Sequence, residues 1–223
     1  MSSMIDRFER ARTHMVDSQI RPNKVTDTVL IAALRSLPRE AFVPATENAV
    51  AYADAEIRLG FDRVMPEPMV IARLVQLAAV RRDERVLVVG AGTGYGAALL
   101  ASAGAVVVAL EEEAGLAAIG AAALAVHAPS AISTIGPLRA GWAAHAPYDV
   151  VFIEGGVEEV APALVAQLAP TGRMVMIRNP PSGRAVGQAV LGRRVADDMS
   201  FAPMFDANAP TLPMFRHVAG FVF

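Results

Sequence analysis

The stretch Val86-Leu87-Val88-Val89-Gly90-Ala91-Gly92-Thr93-Gly94-Tyr95-Gly96 decides the fold. Four apolar residues run straight into four glycines that alternate with other residues. A strand buried on both faces reads as a continuous Val/Leu run, and glycine allows the positive φ and close backbone approach that a ligand-bearing turn needs. Ala97-Ala98-Leu99-Leu100-Ala101 then suits a helix whose N-terminal amides face the turn. Together these residues predict a nucleotide-type strand, turn and helix.

Downstream the pattern repeats. Ala105 to Leu110 reads as a strand, Ala114 to Ala125 as a helix and Ala131 to Ile135 as a short strand. Tyr148 to Ile153 follows as a strand, Val157 to Leu168 as a helix, and Arg173 to Ile177 as a strand after a Pro170-Thr171-Gly172 turn. Alternation at this spacing predicts βαβ units with right-handed crossovers. Val186 to Val195 and His217 to Phe223 would add two strands at one end, with Phe201 to Pro210 as a proline-rich covering loop between them. The expectation is a doubly wound, mostly parallel, seven-stranded Rossmann-like α/β sheet.

Upstream, Ile5 to Val16 has helical spacing and Arg21-Pro22-Asn23 ends it. Thr26 or Asp27 caps a second helix that Pro38 stops, and Leu59 to Pro68 is loop or short strand leading into a helix through Ala78. This predicts an N-terminal helical, substrate-side region, residues 1–80, packed as one unit on a cofactor-binding domain, residues 81–223.

The composition narrows the chemistry. The 223 residues are 54% hydrophobic, enough for a sizeable core. A formal charge of −2, with Lys24 as the only lysine, gives no basic field for nucleic acid or an anionic membrane. The absence of cysteine excludes disulfides, a thiolate nucleophile and Cys-based zinc, and fits a reducing, cytoplasmic location. Charges among residues 6–12 leave no place for a secretory apolar segment. Two long uncharged runs, from Val86 and from Ala114, are broken by glycines or by Pro129 and Gly136, so they read as buried sheet and helix rather than membrane spans. His14, His127, His145 and His217 lack metal-binding spacing, and no serine sits in a G-x-S-x-G context.

Ligands of such sheets sit at the carboxyl ends of the strands, where strand order reverses. Glu111 ends the next strand, 21 positions after Gly90, where a carboxylate can accept both hydroxyls of a ribose; the competing reading is a solvated helix-capping acid. Read from Gly90 the turn is G-x-G-x-G, which suits S-adenosylmethionine, a ligand without a pyrophosphate. Read from Gly92 it is G-x-G-x-x-A, which suits a dinucleotide. The first frame places the turn directly after the strand. Glu154, closing another strand, meets a substrate or caps a helix at Val157. Tyr52 reads as core or lid, and Trp142 as packing or an adenine neighbour.

With the flanking residues added, the chain resembles the protein-L-isoaspartate O-methyltransferase family over roughly residues 15 to 178. Met15-Val16, Gln19-Ile20, Leu37-Pro38-Arg39-Glu40, Phe42-Val43-Pro44, Ala51-Tyr52-Ala53-Asp54, Gly60 and Pro68 fall in that family's N-terminal order, followed by its cofactor turn. Ala146-Pro147-Tyr148-Asp149 and Ala163 to Arg173 resemble its fourth strand and the segment leading to its fifth. The resemblance implies a class I S-adenosylmethionine-dependent methyltransferase that acts on protein or peptide carboxylates in protein repair. It implies Gly90, Ala91, Gly92, Thr93, Gly94, Glu111 and Leu138 as the cofactor-binding set. Three departures stand against the family pattern: the substrate-side motif, Val88 and Pro137. Pro66 replaces a hydroxyl residue, Val64 and Glu67 replace its neighbours, and Val88 and Pro137 replace acids near the cofactor. Glu67 and Glu154 are then the nearby candidates for a catalytic role, and the charge of Glu67 is unfavourable for an anionic substrate unless Arg63 or Arg58 compensates it. A non-catalytic descendant of the fold and an NAD-type oxidoreductase remain as alternatives.

Overall fold

The computed structural model describes residues 4–181, 186–195 and 198–217. The N-terminal part contains α1 (Met4–Met15), α2 (Thr28–Ser36), a hairpin of β1 (Ile57–Gly60) and β2 (Arg63–Met65), and α3 (Pro68–Ala78). The alternating part runs β3 (Arg85–Val89), α4 (Tyr95–Ser102), β4 (Val106–Glu111), α5 (Ala114–His127), β5 (Ile132–Ile135), β6 (Tyr148–Val157), α6 (Pro162–Ala166) and β7 (Leu168–Arg178). Two further strands, β8 (Gln188–Val195) and β9 (Asp198–Asp206), complete a seven-stranded sheet of order β5-β4-β3-β6-β7-β8-β9. The first five of these are parallel and the last two antiparallel. Strand order reverses at β3, with β4 on one side and β6 on the other, so the glycine turn lies at the switch point where an α/β sheet leaves a crevice.

Alternate side chains of each central strand feed two apolar layers. Val86 and Val88 of β3 join the layer that contains α2, α3 and α4, while Leu87 and Val89 join the layer of α6, Leu212 and Phe215. Each such fully buried side chain contributes roughly 1.5–3 kcal/mol. Residues 91–100 are buried throughout, which explains why α4 carries no polar face. At α2, the Asp27 carboxylate accepts the N–H groups of Val29 and Leu30, the capping predicted for it. Arg39, fully buried, ties the N-terminal part to the sheet. Its Nε donates to the Ala51 carbonyl and its Nη2 to the Pro66 carbonyl, and its guanidinium lies 4.9 Å over the Tyr95 ring.

Four expectations are corrected here. Phe201 to Pro210 is not a loop: its first half is most of β9, an edge strand where Pro203 is tolerated because no further strand needs its missing N–H. The pairing steps from Ala189–Phe205 to Val190–Pro203, so Met204 is the extra residue of a bulge in β9. The helix expected from Val157 to Leu168 shrinks to Pro162–Ala166, because β6 continues to Val157. The Pro170-Thr171-Gly172 turn is a register shift inside β7, between the Tyr148–Leu168 and Val150–Arg173 pairings. Finally, His217 lies in no strand, and the rest of the expected last strand, 218–223, lies outside the described residues. Among the described residues no helix is long and apolar enough to cross a membrane.

Candidate functional site

At the end of β3 the chain turns through Gly90, Gly92 and Gly94, with φ of 73°, 56° and 91°. The Gly90 and Ala91 N–H groups both donate to the Leu110 carbonyl at 3.0 Å, which fixes the turn to the end of β4. Only glycine takes three such left-handed angles without strain. A Cβ on Gly94 would also lie 2.9 Å from Leu124 of α5, so this glycine serves helix packing as well.

Glu111 closes β4 and is 2% exposed. Its Oε2 accepts the Gly92 N–H at 2.7 Å, and its Oε1 accepts the N–H groups of Glu112 at 2.9 Å and Glu113 at 3.0 Å. Three backbone amides therefore hold the carboxylate in the crevice. The capping reading does not hold, because Glu113, without a side-chain bond, is the N-cap of α5.

A fourth donor reaches the same carboxylate from outside the sheet. Arg63 of β2 donates from Nη1 to Glu111 Oε1 at 2.9 Å and from Nη2 to the Gly90 carbonyl at 2.8 Å. The two side chains are 8% and 2% exposed, so the pair is shielded from water. Leu212 packs on the same spot: its Cδ1 lies 3.1 Å from where a Cβ of Gly90 would stand. Leu212 is held there by its own N–H on the Gly156 carbonyl, with the Gly156 N–H on Pro210. What remains is a cavity of about 10 Å³ lined by Arg63, Glu154, Gly155, Thr211 and Leu212, room for no more than one water.

Glu154 borders this space from β6 and is buried. Its Oε2 has no hydrogen-bond partner and lies against Gly96 at the start of α4. Burial pushes its carboxyl up to about 8; the charges of Arg63 and Arg39 oppose the shift and Glu111 adds to it. That shift favours the neutral acid, the form that burial without an ion-pair partner requires. Because β6 runs on past it, Glu154 does not cap a helix.

The structure thus gathers Gly90, Ala91, Gly92, Gly94 and Glu111 at one point. The Thr93 hydroxyl instead donates to the Phe42 carbonyl. The Leu138 side chain is buried in the second apolar layer, and its N–H donates to Glu112 Oε2 at 3.0 Å. Pro66 is buried, its carbonyl taken by Arg39. Glu67 lines an outer cleft with Asp54, Glu56 and Asp206 rather than the crevice. Arg63 does not compensate Glu67: it turns inward to the buried Glu111 carboxylate. Val88 is fully buried among apolar residues. Tyr52 is core, its hydroxyl between Glu40 and Arg12. The Trp142 ring packs 3.3 Å from a Cβ position on Gly136.

Sequence reasoning missed the inward role of Arg63 and the contribution of Leu212. A cation alternating with the apolar Leu59, Val64 and Met65 of a short hairpin was the available signal for the first. Nothing in the proline-rich tail singled out the second.

Comparison with known proteins bears on the family and the fold. The family model described as protein-L-isoaspartate(D-aspartate) O-methyltransferase matches residues 10–194. A protein-L-isoaspartate O-methyltransferase of Methylorubrum extorquens is 36% identical over 200 residues, covering 89% of this chain and 87% of the relative. One of Koribacter versatilis is 35% identical, covering 88% and 91%. A solved protein-L-isoaspartate O-methyltransferase, 22% identical, shares the fold with a TM-score of 0.78 over 90% of this chain and 65% of its own. A Plasmodium falciparum structure in complex with S-adenosyl-L-homocysteine, 13% identical, gives a TM-score of 0.73 over 92% of this chain and 97% of its own.

Proposed function

The chain belongs to the protein-L-isoaspartate(D-aspartate) O-methyltransferase family, and from that premise we propose that it is an S-adenosylmethionine-dependent methyltransferase whose acceptor is a carboxylate on a protein or peptide. The observation that carries this reading is the cradle formed by Glu111 and the Gly90–Gly94 turn. It already holds a planar group through hydrogen bonds to a carboxylate and a backbone carbonyl. With Arg63 withdrawn, Glu111 would accept the ribose hydroxyls of the nucleoside and the glycine turn would lie along it. The opposite end fits less well, since Val88 offers the methionine portion no polar partner.

Bound S-adenosylmethionine supplies an electrophilic methyl group. A carboxylate acceptor is already ionised at neutral pH, so the protein need not remove a proton. Its task is alignment and exclusion of water. Glu154, neutral and buried, adds no negative charge that would repel an anionic acceptor at the crevice mouth. The Pro66 position offers neither a hydroxyl nor an N–H, and its carbonyl is taken by Arg39, so the acceptor would be held by other groups.

A second reading, a non-catalytic protein that keeps the fold, is favoured by one observation: Arg63 and Leu212 fill the crevice. Incubation with isotopically labelled S-adenosylmethionine and either an isoaspartyl peptide or lysate proteins separates the two. Base-labile label on protein is expected. No incorporation, together with no thermal shift at millimolar S-adenosylhomocysteine, would establish the second reading instead.

A further inference from the structure

The hairpin that carries Arg63 stands apart from the main sheet. β1 and β2 form a two-stranded sheet of their own, and a hairpin without further strands is weakly held. Its turn residues Phe61 and Asp62 both have positive φ, 52° and 55°. That geometry favours glycine or asparagine, so a phenylalanine here gives the tip little intrinsic stability. The tip is seated by Phe61, a residue 59% exposed whose ring edge lies 2.6 Å from where a Cβ of Gly115 would stand. Deeper in, Arg63 is pinned by the Glu111 carboxylate and the Gly90 carbonyl.

Resting on the cofactor reading above, we propose that Arg63 is an internal ligand of the nucleoside crevice. Its guanidinium takes on Glu111 the hydrogen bonds that a ribose diol would take, and a nucleoside enters only as the β1–β2 hairpin withdraws. Three features carry this. Two N–H groups of one planar end reach a carboxylate and a neighbouring carbonyl, the same acceptors that a vicinal diol at this strand end would meet. The Glu111 carboxylate keeps three amide donors when Arg63 leaves, and the diol replaces the donor that Arg63 withdraws, so the exchange leaves its oxygens hydrogen-bonded. Arg63 carries its own charge out to water, because the hairpin tip already borders solvent at Phe61 and Asp62. Arg63 is thus a competitor for the ligand, and the hairpin is the part that moves.

Calorimetric titration of the whole chain with S-adenosylhomocysteine tests this, comparing the wild type with Arg63→Ala and Arg63→Lys. If the closed form dominates, the apparent affinity of the wild type is reduced by the fraction of open molecules, and Arg63→Ala should bind about tenfold tighter or more. Arg63→Lys, which loses the fork but keeps the charge, should lie between them and serves alone if the alanine variant does not fold. Hydrogen exchange of the wild type supplies a reading that needs no variant: ligand should speed exchange across residues 57–65 while slowing it across 90–94. Equal affinities with an unchanged hairpin would overturn the internal-ligand proposal and leave the cofactor reading intact. Absence of binding to all three proteins would overturn the cofactor reading, and this proposal with it.

Discussion

The two ends of the crevice are held by different means. At the nucleoside end, the Gly90–Gly94 turn hangs on the Leu110 carbonyl and Glu111 is gripped by three backbone amides. The other side of the crevice is closed by side chains: Arg63 from the hairpin, Leu212 from the tail, and Glu154 with an unpartnered oxygen. A site held by main-chain groups keeps its shape through side-chain replacement, since the amides and carbonyls remain whatever residues carry them. A site made of side chains is rewritten by each replacement.

The sharpest way to break this contrast is to remove the group on which both ends meet. Glu111→Ala deprives three backbone N–H groups of their acceptor and leaves Arg63 as a buried cation without its partner. The expected loss is about 3–5 kcal/mol in urea unfolding. A loss below about 1 kcal/mol would mean that the Arg63 pair is not closed in solution. Glu111→Gln, able to accept but not to pair, should lose less.

Glu154 tests the side-chain end through pH. Its carboxyl titrates at about 8 in the folded chain against an ordinary 4.5. Between those two values the folded state holds a proton that the unfolded state has released, so stability is greatest below the lower value and falls as pH rises toward the upper one. The slope from this group approaches about 1.4 kcal/mol per pH unit. Glu154→Gln, a neutral replacement of the same shape, should abolish that fall. At pH 8 it should exceed the wild type by on the order of 2–3 kcal/mol, since relaxation and water entry discount the full shift. Identical unfolding curves from pH 5 to pH 8 would show that Glu154 reaches solvent.

The same contrast explains how far the sequence could be read. The parallel strands, their helices and the glycine turn follow from local rules: an unbroken Val/Leu run, glycines where φ is positive, an acid at the end of the next strand. Those features carry their cause within a few residues. The closing of the crevice does not, because Arg63 meets Gly90 across 27 positions and Leu212 reaches the same turn from the far end of the chain. Glu154 reads equally as ligand or cap until β6 is seen to run past it. Edge strand β9 was hidden by Pro203, which argues against a strand only when a neighbour on both sides needs its N–H. Gly94→Ala probes the legible half. Its φ of 91° and the contact with Leu124 predict a loss of roughly 1–3 kcal/mol in thermal or urea unfolding.

The smallest effect is expected at Glu67, which sequence reasoning placed beside the acceptor. In the structure it shares an outer cleft with Asp54, Glu56 and Asp206, and with burial it contributes to holding the Glu56 carboxyl above its ordinary range. Glu67→Gln removes one like charge from a cleft whose other carboxylates, Asp54, Glu56 and Asp206, are exposed, so stability should change by no more than about 0.5 kcal/mol. The Glu56 carboxyl should move down toward its ordinary value, a shift that an NMR titration of the wild type and variant would read. Methyl transfer and S-adenosylhomocysteine affinity should stay as in the wild type, because no atom of Glu67 borders the crevice. A marked loss of either would extend the acceptor end outward to this cleft and give its carboxylates a part in the reaction that the closed hairpin conceals.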